Sequence, residues 1–157
     1  MTLPDFSNLK YIDLKEKDKE KYLVKKGDLL FNRTNSKELV GKTAVYGLKE
    51  SMAIAGYLIK VRVNSFANPY FIWGYLNSKH GKKTLENMCK SIVGMANINA
   101  QELQNIKILK PPIELQDKFA EIIKQIEVQK QLTQQSLQKS EELFQSLLQR
   151  AFKGELI

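Results

Sequence analysis

PPIELQDKFAEIIKQIEVQKQLTQQSLQKSEELFQSLLQRAFKG, residues Pro111 to Gly154, holds no glycine or proline between Ile113 and Lys153. Leu, Ile, Glu, Lys and Gln dominate it, side chains that lose little freedom in a helix. One helix over the whole stretch is predicted, roughly 55 to 60 Å long at ~1.5 Å per residue. Its ends are punctuated. Pro111 and Pro112 set the entry, Glu114 and Asp117 face the positive end of the helix dipole, and Arg150, Lys153 and Gly154 suit the close. Phe119, Ile122, Ile123 and Ile126, then Leu143, Phe144, Leu147, Leu148 and Ala151, recur at spacings of three and four and make an apolar stripe. Between these clusters, Gln129 to Glu142 carries only Leu132 and Leu137 as apolar anchors. A small domain cannot cover such a length. The stripe is therefore expected to pair with another helix of similar length through Phe119, Ile122, Ile126, Leu143 and Leu147, the alternative being a helix lying across its own domain.

Working back from Pro111, the pattern changes. Lys21 to Val24 and Leu29 to Phe31 flank a Gly27-Asp28 turn and read as strands. Ile54 to Val63 reads as another, closing in a period of two with Ile59, Val61 and Val63 inward and Lys60 and Arg62 outward. Pro69 to Asn77 and Lys82 to Cys89 read as helices with a break near Gly81. Asn99 with Glu102 three residues later has the form of a capping box, and Ile106 to Leu109 reads as a last strand. The expected class is α+β: a mixed small-sheet domain over 1–110, then one long C-terminal helix over 111–157.

Charge divides along the same line. Of 25 Lys and Arg and 17 Asp and Glu, Met1 to Lys110 holds 19 basic and 10 acidic residues, so the whole basic excess precedes the helix. A basic domain with a near-neutral tail suits polyanion contact in one part and protein contact in the other, the plain alternative being a solvated lysine-rich surface. Cys89 is the single cysteine, which excludes an intramolecular disulfide and fits a reducing cytoplasm. Met1 to Leu9 lacks the layout of a signal peptide, and Met52 to Ile59 is too short to span a bilayer, so no membrane association is expected.

The machinery of catalysis is missing. One histidine, His80, and one cysteine make no metal cluster, and no phosphate-binding glycine loop or Gly-x-Ser-x-Gly occurs. Neither enzyme activity nor a cofactor is expected. His80 is placed at a helix end, exposed or capping. Asn68-Pro69-Tyr70-Phe71 is similar to the Asn-Pro-Pro-Tyr/Phe motif of adenine amino-methyltransferases but lacks the second proline. Pro69 as the first residue of a helix, with Asn68 as its N-cap, accounts for the same letters.

Three segments taken together resemble the specificity subunit of type I restriction-modification systems. They are Lys26-Gly27-Asp28-Leu29-Leu30-Phe31-Asn32-Arg33 running to Gly41-Lys42-Thr43-Ala44-Val45; Asn68-Pro69-Tyr70-Phe71 with Tyr75-Leu76-Asn77-Ser78; and Gly94 with Asn97-Ile98-Asn99, leading through Ile106-Lys107-Ile108 to Pro111-Pro112 and a helix bearing Gln116 and Ile122. The close, Leu147-Leu148 to Ala151-Phe152-Lys153-Gly154-Glu155-Leu156, fits too. The resemblance implies a DNA target recognition domain over 1–110 and a connecting helix over 111–157. It also implies a non-catalytic role, reading one half of a bipartite double-stranded target and positioning methyltransferase and restriction subunits. The helix would join this chain to itself or to another specificity half. Family members usually carry two recognition domains and two long helices, so the chain is expected to be a half subunit, a truncated product or a fragment, with part of the front of its domain absent. The rival reading is a truncated fragment that regulates or competes without reading DNA.

Base readout needs donors and acceptors on exposed segments, and phosphate contact needs cations. The polar loops Asn32 to Lys37 and Ser91 to Asn99 offer both. Arg33 suits guanine, Asn35 or Asn97 suits adenine, and Lys37, Lys42 and Lys90 suit phosphate, with Asn32, Thr34, Ser36 and Asn99 completing the set. For each the structural alternative stands beside it: turn formation by Asn or Ser, a solvated lysine, Asn99 as a helix cap.

Overall fold

The computed structural model of the chain describes residues 9–36, 40–92 and 95–155, with the backbone alone at 90–92 and 95. In chain order the elements are α1 (Glu16–Tyr22), β1 (Leu23–Val24), β2 (Leu29–Asn32), β3 (Thr34–Asn35), β4 (Thr43–Val45), β5 (Met52–Ala53), β6 (Leu58–Val61), α2 (Pro69–Asn77), α3 (Lys79–Met88), β7 (Lys90–Ile92), β8 (Met95–Asn97), α4 (Ala100–Gln104) and α5 (Ile113–Phe152). Small sheets and helices alternate, an α+β arrangement closed by one long helix, and every strand pairing among the described residues is antiparallel.

The Gly27-Asp28 turn starts the main sheet. Gly27 sits at φ 94°, a left-handed conformation that glycine adopts without strain. β2 follows as the central strand of β4-β2-β6, with Phe31 opposite Thr43 on one side and Ile59 on the other. Its alternation buries Leu29 and Phe31. Phe31, Val40, Leu76, Leu85, Ala96 and Ile98 form the core, drawn from the sheet, α2, α3 and the β8 region. A fully buried side chain of the larger kinds here contributes about 1.5–3 kcal/mol.

Several local expectations are corrected. Lys21 and Tyr22 end a helix rather than start a strand: α1, Glu-Lys-Asp-Lys-Glu-Lys-Tyr, has acids in its first turn and lysines in its last, matching the helix dipole without any apolar stripe. The strand expected over Ile54 to Val63 is shorter, β6 alone over Leu58–Val61; before it the chain turns through Gly56, with Leu58 N–H donating to Ala55 C=O. The segment Ile106 to Leu109 is not a strand; among the described residues no edge pairs with it, and Ile106 packs on the core instead.

The helix starts obey their caps. Asn68 accepts from Tyr70 N–H at 2.9 Å with Pro69 in the first turn, as expected. Asn99 and Glu102 form the full capping box of α4. The expected break at Gly81 is displaced: Ser78 Oγ accepts from Gly81 N–H at 3.0 Å and starts α3 three residues earlier. Gly81 is needed there for closeness, since a Cβ would lie 2.0 Å from the Tyr75 carbonyl oxygen at the end of α2.

The chain divides into two compact units, Met1–Ala120 and Glu121–Ile157. In the first, the opening turns of α5 are latched by side chains. Buried Gln116 accepts from Asn68 N–H at 2.9 Å and donates to Pro111 C=O at 2.8 Å, while Phe119 meets the Phe71 ring edge-on at 5.9 Å. Gly74 leaves room for that ring; a Cβ would sit 2.7 Å from it. In the second unit α5 continues as helix to Phe152, and residues 128–152 are all exposed.

Candidate nucleic-acid interface

Two polar segments far apart in sequence meet in one small sheet of order β3-β8-β7, in which β3 is an edge strand and β8 the centre. β3 pairs with β8, Thr34 opposite Asn97 and Asn35 opposite Ala96, and β8 pairs with β7, Asn97 opposite Lys90. The segments expected as loops thus carry strands among their described residues, Thr34–Asn35, Lys90–Ile92 and Met95–Asn97. Burial alternates along β8: Ala96 and Ile98 are buried in the core, while Asn97 between them is exposed. Asn97 Oδ1 accepts from Arg33 Nε at 3.4 Å and from Thr34 Oγ1 at 3.3 Å. Backbone bonds hold Arg33 from both sides, its N–H donating to Tyr57 C=O at 3.0 Å and its C=O accepting from Ile98 N–H at 2.9 Å. Among the described residues the terminal guanidinium nitrogens of Arg33 and the Nδ2 of Asn97 have no protein partner. The edge therefore presents donors on a fixed backbone, the chemistry that reads base edges.

The other predicted residues divide by the work they already do. Asn35 faces the Ala96 position, and its Oδ1 accepts from Ser36 N–H at 2.8 Å, the local turn chemistry of asparagine. Asn99 spends its side chain on the α4 cap. Asn32 donates its N–H to Lys42 C=O at 3.0 Å and accepts from Gly41 N–H at 2.8 Å, while its Oδ1 is buried with no hydrogen-bond partner. Ser36 and Lys42 are exposed. Lys90 is placed by its backbone register opposite Asn97, and Lys37 lies outside the described residues.

Lys82 is a cation that sequence reasoning did not single out. Its Nζ donates to Gly41 C=O at 3.0 Å, a contact across 41 residues that no local spacing announces. Burial, then the neighbouring charge of Lys42, pushes its ammonium below the ordinary lysine value.

The Gly27-Asp28 turn beneath β2 is clamped by charge. Asp28, 2% exposed, receives Arg62 Nε and Nη2, each at 2.7 Å, and Lys25 N–H at 2.8 Å. Burial alone would raise this carboxyl, but the hydrogen bonds from Arg62 and Lys25, with the charges of Arg62 and Lys60, hold it below the ordinary carboxylate value. Arg62 lies outward as expected, about half of its side chain exposed, and its guanidinium is committed to this pair.

His80 is exposed in the first turn of α3, its ring against Tyr75 at 5.8 Å, and Asn68 is taken up by its cap and by Asp117 at 2.7 Å. Among the described residues no group of three or more His, Cys, Asp and Glu could hold a metal, and no helix is long and apolar enough to cross a membrane. Of the expected helix-pairing residues, Phe119 belongs to the packing of the first unit. Ile122, Ile126, Leu143 and Leu147 are 55%, 44%, 62% and 41% exposed.

Comparison with known proteins gives one consistent answer. The family model described as the type I restriction modification DNA specificity domain matches residues 2–142. A protein of Methanocaldococcus jannaschii named as the MjaX type I restriction enzyme specificity subunit is 34% identical over 122 residues, 76% of this chain and 29% of that protein. The EcoKI specificity subunit of Escherichia coli is 28% identical over 166 residues, covering 97% of this chain and 34% of its own length. The StySPI specificity subunit of Salmonella potsdam is 30% identical over 162 residues, with 95% and 34% covered. The chain spans about a third of the length of these relatives.

Proposed function

Because this chain belongs to the family of type I restriction modification DNA specificity domains, we propose that it reads one half of a bipartite double-stranded DNA target. Residues 1–110 act as the target recognition domain, and residues 111–157 as a connecting helix joining the chain to itself or to another specificity half. It catalyses nothing and needs no cofactor; it positions methyltransferase and restriction subunits on the target, in the cytoplasm. The observation that carries this reading is the contact between Arg33 and Asn97, 64 residues apart, on one exposed edge of the basic unit. Arg33, Thr34 and Asn97 face the bases, Lys42 and Lys90 the phosphates, while Asn32, Asn35 and Asn99 support the shape of the edge.

The test is co-expression with the methyltransferase subunit, followed by sequencing of the methylated DNA. Methylation at one defined sequence is expected, as an interrupted palindrome if two identical halves pair. Methylation without sequence preference would overturn base reading. The competing reading is a fragment that caps or competes with a full subunit. That reading predicts no methylation from this mixture, and loss of methylation when the chain is added to a complete system.

A further inference from the structure

The first turns of α3 carry Lys79, His80, Lys82 and Lys83 and no acid in the first turn. This is the reverse of what a helix dipole favours, so local stability does not account for the composition. Spacings of three and four bring Lys79, Lys82 and Lys83 to one face, while His80 turns to Tyr75. Glu86, the one acid of α3, forms no ion pair with them among the described residues.

Lys82 reaches across to Gly41, and that backbone continues to the reading edge. Its Nζ donates to Gly41 C=O at 3.0 Å, and Gly41 N–H donates to Asn32 C=O at 2.8 Å. Asn32 N–H donates to Lys42 C=O at 3.0 Å, so the β2–β4 ladder extends by one pair beyond Phe31 and Thr43. Lys42, exposed, therefore stands across from the residue that precedes Arg33. The half-buried Lys82 and its neighbour Lys42 repel one another, and an anion between them would relieve both.

Resting on the DNA-reading role above, we propose that Lys42, Lys79, Lys82 and Lys83 form the seat of the DNA phosphate backbone, fixing the register in which Arg33 and Asn97 meet the bases. These contacts are blind to sequence and supply position and salt-dependent affinity, while the β3–β8 edge supplies discrimination. Lys82 is the anchor of the seat because its hydrogen bond to Gly41 holds its stem in one place, so less side-chain freedom is lost on binding.

The experiment measures binding of target and random duplexes by the full chain with its methyltransferase subunit, across about 50 to 200 mM salt. Removing one lysine–phosphate pair should flatten the log-log salt slope by about 0.9. The double variant Lys79→Gln, Lys83→Gln should therefore flatten it by about 1.8, and the quadruple variant with Lys42→Gln and Lys82→Gln by about 3.6, with equal losses on both duplexes. Lys82→Arg in the wild-type background should keep the full slope. Lys79 and Lys83 are exposed, so the double variant keeps its thermal midpoint and reports binding alone. Unchanged slopes in the double and quadruple variants overturn the seat and leave the DNA-reading role standing, and a loss confined to the target duplex does the same by moving these lysines to base readout. A wild-type complex that binds no duplex overturns the role and the seat together.

Discussion

In the first unit, side chains bond across the chain: Arg33 to Asn97 over 64 residues, Gln116 to Asn68 over 48, Lys82 to Gly41 over 41 and Arg62 to Asp28 over 34. In the second, side chains bond to near neighbours along the helix, Thr133 to Gln129, Ser140 to Ser136 and Gln138 to Glu142 over four residues and Arg150 to Glu155 over five. The first unit has a buried core, Phe31, Val40, Leu76, Leu85, Ala96 and Ile98, and holds the positive charge excess of the chain. The second is balanced in charge, five basic residues against five acidic over 121–157, and exposes Ile122, Ile126, Leu132, Leu137, Leu143, Phe144, Leu147 and Leu148. Helical stability in proteins comes mainly from packing of an apolar face rather than from propensity, and the apolar residues of this helix are exposed. The first unit has a core of its own, and among the described residues of the second no side chain is buried.

The comparison breaks most sharply at the two phenylalanines Phe31 and Phe144. Phe31 is fully buried between Thr43 and Ile59, whereas Phe144 is 58% exposed. Phe31→Ala should cost about 3–5 kcal/mol in denaturant unfolding of the chain. Phe144→Ala should stay within about 0.5 kcal/mol under the same conditions. Similar losses from both would mean that the second unit has a core of its own and that the contrast is false.

Next in size is Asp28→Asn, which removes the charge that Arg62 and Lys25 N–H surround. A loss of about 2–3 kcal/mol at neutral pH is expected, since hydrogen bonds to charged groups are the stronger ones and Arg62 keeps half its side chain in water. The sign with pH follows from the depressed carboxyl. Its contribution is fully present above the unfolded value, about 3.9, and is lost as pH falls through the lower folded value. The wild type should therefore lose its advantage over the Asn variant on acidification. A gap that does not narrow as the pH falls ever further below the unfolded value would show that shape, not charge, holds the turn.

These two effects also mark what sequence could show. The long helix was legible because nothing from Ile113 to Lys153 interrupts it, and the starts of α2 and α4 because Asn68-Pro69 and Asn99 with Glu102 are local chemistry. α1 was invisible because a helix without an apolar stripe has no period to detect. Ile106 to Leu109 looked like a strand because alternation describes a ribbon without saying whether any edge will pair with it. Gly81 looked like a breaker because its true role, letting α3 approach the Tyr75 carbonyl, depends on a neighbour in space. The candidate site had the same limit. Residue types named Arg33 and Asn97, but only pairing of β3 with β8 brought them together, and Lys82 had no sequence signal at all.

Within the first unit, Arg33→Ala sharpens the division between reading and holding. The side chain makes one hydrogen bond of 3.4 Å to Asn97 and is otherwise outward among the described residues, so the fold should be little affected. Binding to the proper target should weaken by about 1–3 kcal/mol while random DNA is spared. Equal losses on both duplexes would make Arg33 a phosphate contact and move base readout elsewhere.

The smallest effect on folding, and the one that decides the role of the second unit, comes from Ile126→Lys combined with Leu147→Lys. Both positions are exposed, 44% and 41%, so the chain's own unfolding free energy should change by no more than about 0.5 kcal/mol. Placing two charges on a stripe meant for another helix desolvates them on pairing, and two buried unpaired ammonium groups cannot be tolerated there. The variant should therefore keep the thermal midpoint of the first unit while losing self-association in sedimentation or docking to the methyltransferase subunit. An unchanged hydrodynamic mass together with unchanged affinity for that subunit would mean that the stripe pairs with nothing, and the second unit would lose its proposed role as a connector.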